Sequence, residues 1–296
     1  MATAAQTYTR SFRVRAYECD LLGHLNNAVY HHFVEETSGE AWGAANDGPD
    51  WYRSRDEAWA IQQVSIGYLH PAVAGDTLDV VTWVSEWGEC HARREYEIRR
   101  WPHREEIARA SARWLHVDRV TGQPSPVPPE LVAALGADGR VALEPHRLPA
   151  QGLAAASYRW RHQVKRYELD STGRVNGAIY LSWIEEAKFR AAEEAGWPLE
   201  RMRAERFLTV QVRHDTEYLR PALYGDEVEV VSRLHDLRHV RGTWLHEVYR
   251  VGSGELLARD YSTGAFLDPE GRLARAPRAM LKAVLRGPAN LASPSA

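Results

Sequence analysis

Cysteine is nearly missing from this chain, with Cys19 and Cys90 the two in 296 residues. Two thiols cannot build a disulfide framework, and neither stands in a zinc-ligand spacing, so the chain must be held by its core. Methionine and phenylalanine are scarce too, at three and five, and the large apolar surface falls to 11 Trp and 13 Tyr. Neither charge sign dominates: 37 Lys and Arg face 40 Asp and Glu, giving a formal charge of −3. Acids and bases are interspersed throughout, which removes the electrostatic case for nucleic acid or an anionic membrane as a partner. No apolar run reaches the roughly 18 residues that a membrane-spanning helix needs, and Met1 to Arg10 lacks the apolar segment of a secretion signal. Free thiols without a span give the expectation of a soluble cytoplasmic protein.

What the chain does have is a repeat. Residues 17–36 return as 167–186 with nine of twenty positions identical, each number rising by 150. Downstream, Tyr68 to Asp76 faces Tyr218 to Asp226 without a shift in register. Holding register over that distance implies one ancestral domain of about 120 residues, duplicated. The expected division is domain 1 over 1–120, a Pro/Ala-rich linker over 121–156, domain 2 over 157–286 and a fraying tail over 287–296.

Each repeat changes its period in the same order. A short extended stretch (Ser11 to Ala16; Tyr158 to Arg166) leads to a turn carrying an Asp and a Gly. Apolar residues at helical spacing follow, clearest as Ile179, Trp183, Ile184, Ala187, Ala191 and Ala195 before Gly196, Trp197 and Pro198. That predicts a helix of about five turns. The period then falls to two over Thr77 to Trp87, Arg93 to Trp101 and Ile107 to Val117, and over Glu227 to Leu234, Thr243 to Val251 and Leu256 to Leu267. These read as antiparallel strands, and Trp83 and Trp87 within them as core packing. A short helix is expected in the linker near Glu130 to Leu135. One long helix followed by an antiparallel sheet, twice over, predicts an α+β protein in which each sheet wraps its helix and offers an edge strand to its twin.

The duplicated Asp20 and Asp170 lie just before the helices, where the macrodipole and open N–H groups favour a carboxylate. Helix capping is the plainer role. Against it, Asp20 stands six residues ahead of Asn26, and it is accompanied by Gly23, which would admit a close backbone approach to a ligand. A carboxylate by a helix N-terminus can serve as nucleophile or general base while the first N–H groups hold an oxyanion, a pairing suited to acyl transfer or thioester hydrolysis. His24, four residues after Asp20, is a further catalytic candidate or else a structural histidine, and the second repeat has Arg174 instead, so the two sites are expected to be unequal. Asn26 and Asn176 read equally as helix caps. Glu35, Glu36, Glu185 and Glu186 read most simply as an exposed face or an inter-repeat salt bridge, with catalysis the lesser alternative. His31 and His32 point different ways on a helix and lack a third ligand, so no metal is expected. The Arg-rich strands (Arg93, Arg94, Arg99, Arg100, Arg238 and Arg241) are either a solvated face or a seat for carrier phosphates.

The pattern acid, any residue, Asp, two residues, Gly occurs as Glu18 to Gly23 and again as Glu168 to Gly173. It is similar to the N-terminal signature of hot-dog fold thioesterases, in the branch of 4-hydroxybenzoyl-CoA and bacterial acyl-CoA thioesterases. The segment Gly23-His24-Leu25-Asn26-Asn27-Ala28-Val29-Tyr30 resembles that of acyl-CoA and plant-type acyl-ACP thioesterases, the latter also tandem hot-dogs. The resemblance covers roughly 8–120 and 157–275. It implies a tandem double hot-dog that hydrolyses acyl-CoA or acyl-ACP without a cofactor. Asp20 and Asp170 would be the catalytic carboxylates, and backbone N–H near Asn27 and Gly177 would polarise the thioester carbonyl. It further implies an internal pseudo-dimer, able to pair again, with each carboxylate facing backbone of the other repeat. Leu22 and Thr172 stand where the acyl-ACP branch has Asn. An enoyl-CoA hydratase of the same fold and a non-catalytic acyl-thioester-binding protein are the competing expectations.

Overall fold

The computed structural model describes residues 5–45 and 56–287, which fall into two compact units, Met1–Pro145 and His146–Ala296. The first holds β1 (Tyr8–Arg13), α1 (Asn27–Ala44), β2 (Glu57–Tyr68), β3 (Thr77–Trp87), β4 (His91–Trp101), β5 (Glu105–Asp118) and α2 (Pro129–Leu135). Its strands run antiparallel in the order β1-β3-β4-β5-β2. The second holds β6 (Ser157–Gln163), α3 (Gly177–Glu194), α4 (Leu199–Ala204), β7 (Leu208–Tyr218), β8 (Glu227–Arg238), β9 (Arg241–Arg250), β10 (Leu256–Leu267) and α5 (Arg278–Arg286). Its order is the equivalent β6-β8-β9-β10-β7. Each unit is thus the expected α+β arrangement of one long helix on an antiparallel sheet.

The helices form where the sequence supplies both a start and a stripe. Asn26 and Asn176 hold extended backbone and accept from the amides of Ala28 and Ala178, satisfying one open donor at each helix start. The buried face of α1 is Tyr30, Phe33, Val34, Thr37, Ser38 and Ala41, at the i, i+3, i+4 spacing of one helix side. Helix α3 buries Tyr180, Trp183, Ile184, Ala187 and Ala191 and stops before Gly196, which sits at φ +78°. Alternation does the same for the strands. Leu78 and Val80 on β3, and Val228 and Val230 on β8, are fully buried, each such side chain contributing about 1.5–3 kcal/mol.

The segment expected as a linker is strapped down. Leu131 and Leu135 of α2 are buried, and the indoles of Trp87 and Trp83 donate to the carbonyls of Gly136 and Arg140, both at 2.9 Å. The Ala142 amide donates to the buried Glu95 carboxylate, which also takes Arg93, Ser85 and Ser111. Farther on, the Leu153 amide donates to the His235 carbonyl within the second unit. Strands β2 and β7 were not legible as strands: Gln62, Gln63, Gln211 and Arg213 interrupt their alternation, and each carries a register shift there. The expected tail lies, apart from Gly287, outside the described residues.

Candidate active site

The turn that both repeats carry is a small hairpin hung ahead of the long helix. Cys19 bridges Leu25, and Leu169 bridges Val175. At the tip, the Asp20 amide donates to the His24 carbonyl at 2.8 Å and the Gly23 amide to the Asp20 carbonyl at 3.0 Å; Asp170, Arg174 and Gly173 repeat this at 2.8 and 3.1 Å. Gly23 and Gly173 stand at φ +80° and +79°, and a Cβ at either would meet nothing within 4 Å. The positive φ is a conformational reason for glycine at both positions. The hairpin base is pinned by Asn26 to the Glu18 carbonyl and Leu25 to the Ala72 carbonyl, mirrored by Asn176 to Glu168 and Val175 to Ala222.

Asp20 and Asp170 do not cap the helices; Asn26 and Asn176 do. One oxygen of Asp20 accepts from the Leu22 amide at 2.8 Å and the His24 amide at 3.1 Å. One oxygen of Asp170 accepts from both the amide and the hydroxyl of Thr172, at 2.7 and 2.6 Å. Among the described residues the second oxygen of each accepts nothing, so each carboxylate is oriented by one oxygen and open at the other. Asp20 is half-buried and Asp170 exposed. The helix starts supply donors. Asn26 occupies the Ala28 amide with its side chain and the Val29 amide with its carbonyl, leaving the Asn27 amide open among the described residues; Asn176 leaves the Gly177 amide open in the same way. Both open amides sit at the positive end of a helix dipole.

Two tyrosines per unit fix this helix start, and periodicity did not single them out. Tyr218 donates to the Gly177 carbonyl at 2.9 Å and Tyr68 to the Asn27 carbonyl at 3.5 Å. Tyr180 accepts from the Ala222 amide at 2.8 Å, and burial pushes its phenol up to about 12. The repeat was the available signal, since Tyr30 and Tyr180, and Tyr68 and Tyr218, are identical pairs. His24 is half-buried, and its backbone bridges Val73. Glu36 pairs with Arg10 and Glu186 with Arg190, on the exposed helix face. Glu35 approaches His31 at 3.7 Å and His32 at 3.9 Å. The Arg-rich strands are largely committed: Arg93 to Glu95, Arg99 to Glu97, Arg100 to Asp76 and Glu105, and Arg238 to Asp236. Arg94 is buried over the Trp42 ring at 4.0 Å.

Beneath α3 lies a polar interior that no motif or periodicity in the sequence marks. His214 shares a hydrogen bond with Asp260 at 3.0 Å, and Thr216 donates to the same carboxylate at 2.7 Å. His246 sits between Ser232 at 2.8 Å and Ser262 at 2.9 Å. Burial, with Lys188 and His214 nearby, holds the His246 imidazole well below its usual range. Lys188 on α3 donates to Gln211 at 2.8 Å, and desolvation lowers its ammonium while Glu185 and Asp260 pull it back up.

Comparison with known proteins adds the lineage. The model described as "Thioesterase-like superfamily" matches residues 14–135 and again 164–284. An acyl-[acyl-carrier-protein] hydrolase, chloroplastic, of Cuphea viscosissima is 27% identical over 203 residues, covering 61% of this chain and 47% of that protein. The long-chain acyl-CoA thioesterase of Escherichia coli is 32% identical over 75 residues, covering 25% of this chain and 55% of that protein. The chain thus spans about half the length of these relatives. The crystal structure of a putative oleoyl thioesterase from Lactobacillus plantarum shares the fold with a TM-score of 0.71 at 18% identity, covering 88% of this chain and 96% of that one.

Proposed function

From a chain that belongs to the thioesterase-like superfamily through both of its repeats, we propose hydrolysis of an acyl thioester to a carboxylic acid and a free thiol. The observation that carries this reading is the Asp20 carboxylate, held by the Leu22 and His24 amides through one oxygen and open at the other. The open oxygen serves as nucleophile toward the thioester carbon or as base on an attacking water. In the first case a mixed anhydride forms as the thiolate departs, and water then cleaves it; in the second, water adds directly and the thiolate leaves from the tetrahedral adduct. The amides of Asn27 and Gly177 are the donors available to the carbonyl oxygen as it gains charge. Asp170 carries the same open oxygen on a more exposed turn, with Arg174 in place of His24. Asp20 is the principal catalytic carboxylate and Asp170 the lesser. CoA and acyl carrier protein are the two carriers to which the relatives point, and both present the same pantetheine thioester.

The test is thiol release from short-, medium-, long-chain and aryl acyl-CoAs and from acyl-ACP, followed with a thiol-reactive dye. Release by the native protein and its loss in an Asp20→Asn, Asp170→Asn double variant is the expected result. A double variant that hydrolyses every substrate at the native rate overturns the reading.

A further inference from the structure

The two turns differ in what surrounds them. Arg166 begins the single helical turn that leads into the second hairpin, and its guanidinium lies 4.3 Å from the centroid of the Tyr224 ring. Arg174 closes that hairpin against Asp170, and its backbone bridges Leu223, the neighbour of Tyr224. Both arginines are exposed, Tyr224 is 52% exposed and Tyr167 82%. Among the described residues neither Arg166 nor Arg174 has a carboxylate partner, and neither does the adjacent Lys165 ammonium. The carboxylates nearby are Asp170, bound to Thr172, Glu168, which is buried under His162, Trp183 and the Lys165 amide, and Asp226, which takes the Leu223 amide and is paired with Arg250. Three cations against one exposed acid leave the turn positive.

In the first unit the same positions are filled otherwise. Ala16 stands for Arg166, His24 for Arg174 and Ala74 for Tyr224, while Arg15, in place of Lys165, reaches its own Glu18 at 3.4 Å. The basic and aromatic character is therefore no requirement of the turn's geometry, which both units share. Nor is it part of the ion-paired strand surface, whose arginines are mostly committed to carboxylates.

We propose that the Arg166, Arg174 and Tyr224 cluster is an anion and purine site that seats the nucleotide end of CoA. Guanidinium groups bind phosphate through paired N–H donors. An exposed tyrosine already stacked by a guanidinium offers a flat face of the kind on which a base stacks. One guanidinium stacked on one exposed ring, with a second exposed arginine whose backbone bridges the residue before that ring, fits a nucleotide better than the broad acidic surface of a carrier protein. The proposal deepens the thioester-hydrolase reading and rests on it for the link to turnover, though nucleotide binding itself does not need catalysis.

The full-length protein is titrated calorimetrically with CoA, adenosine bisphosphate and phosphopantetheine. CoA and adenosine bisphosphate are expected to bind more tightly than phosphopantetheine. Arg166→Ala and Arg174→Ala should each weaken CoA about 10-fold, as for loss of a charge-assisted contact, and Tyr224→Ala by less. Arg190→Ala, on the exposed face of α3, is the control for a general change in surface charge. In hydrolysis, the ratio of kcat/KM for acyl-CoA to that for the matching acyl-N-acetylcysteamine should fall by about the same factor. Adenosine bisphosphate that fails to bind, or CoA binding untouched in the double arginine variant, overturns the proposal. Loss of acyl-ACP hydrolysis in the arginine variants with CoA binding intact also overturns it, in favour of protein docking. Arginine-dependent CoA binding by a protein that hydrolyses no thioester keeps this site and removes the hydrolase reading.

Discussion

Across one row of the sheet the first unit sets Thr82, Tyr96, Ala110 and Ile66 side by side, and the second sets Ser232, His246, Asp260 and Thr216. In the first, this row carries a short chain in which Ser38 and the Trp114 indole meet the Tyr96 hydroxyl at 2.6 and 2.9 Å. In the second, Lys188 replaces Ser38, His214 replaces Val64, and an imidazole–carboxylate pair lies where the first unit has Val64 and Ala110. The backbone at these positions is the same. The turn, the Asn cap and the strand registers fix the fold, while the core tolerates either filling provided each buried polar group finds a partner. Polar filling is the costlier choice, since burying charge sacrifices solvation that pairing returns only in part. The turns diverge in parallel, neutral around Asp20 and basic around Asp170.

The largest effect that would sharpen the comparison is catalytic. Asp20→Asn should lower kcat by on the order of 10²-fold, the scale for loss of a proton-transfer group, and Asp170→Asn by less. Equal losses in steady-state assays of the two single variants would erase the distinction drawn between the turns. Next comes acid sensitivity. His246 is held neutral by burial, so below about pH 6.5 the unfolded chain binds a proton that the folded unit refuses, and folding stability falls as pH falls. The loss should approach about 1.4 kcal/mol per pH unit while the imidazole stays neutral, and it should be larger in the second unit than in the first, where burial lowers His32 and His91 less far. Hydrogen exchange resolved by segment at pH 5 and pH 7.5 measures this, and His246→Phe should flatten the slope. Uniform loss across both units would break the comparison. The smallest effect tests their likeness: Asn26→Ala and Asn176→Ala should each cost about 1 kcal/mol by denaturant unfolding, because the two caps are geometrically the same.

Much of the site's frame was legible from residues alone. Thr77 to Trp87 and Leu256 to Leu267 are strands with the bounds that alternation indicated. The α3 stripe and its stop at Gly196 follow from helical spacing and a glycine. The turn residues were found because a register-true repeat marks positions that drift has spared. What pattern could not show was which oxygen of Asp20 is free, or that Asn26 rather than Asp20 caps the helix. Those outcomes depend on how a hairpin closes. Strands β2 and β7 were missed because a bulge breaks the period on which strand recognition depends.

The sequence by itself determined that two like domains exist, that each sets one helix on an antiparallel sheet, and that an Asp–Gly turn precedes each helix. Periodicity and repetition are properties of neighbours along the chain, so they survive in one dimension. Only the tertiary structure decided that Lys188, His214, Asp260 and His246 share one interior, and that Arg166 and Tyr224 meet beside Arg174. These contacts join residues dozens of positions apart, and strand pairing and helix packing alone bring such residues within reach of a hydrogen bond or a ring face.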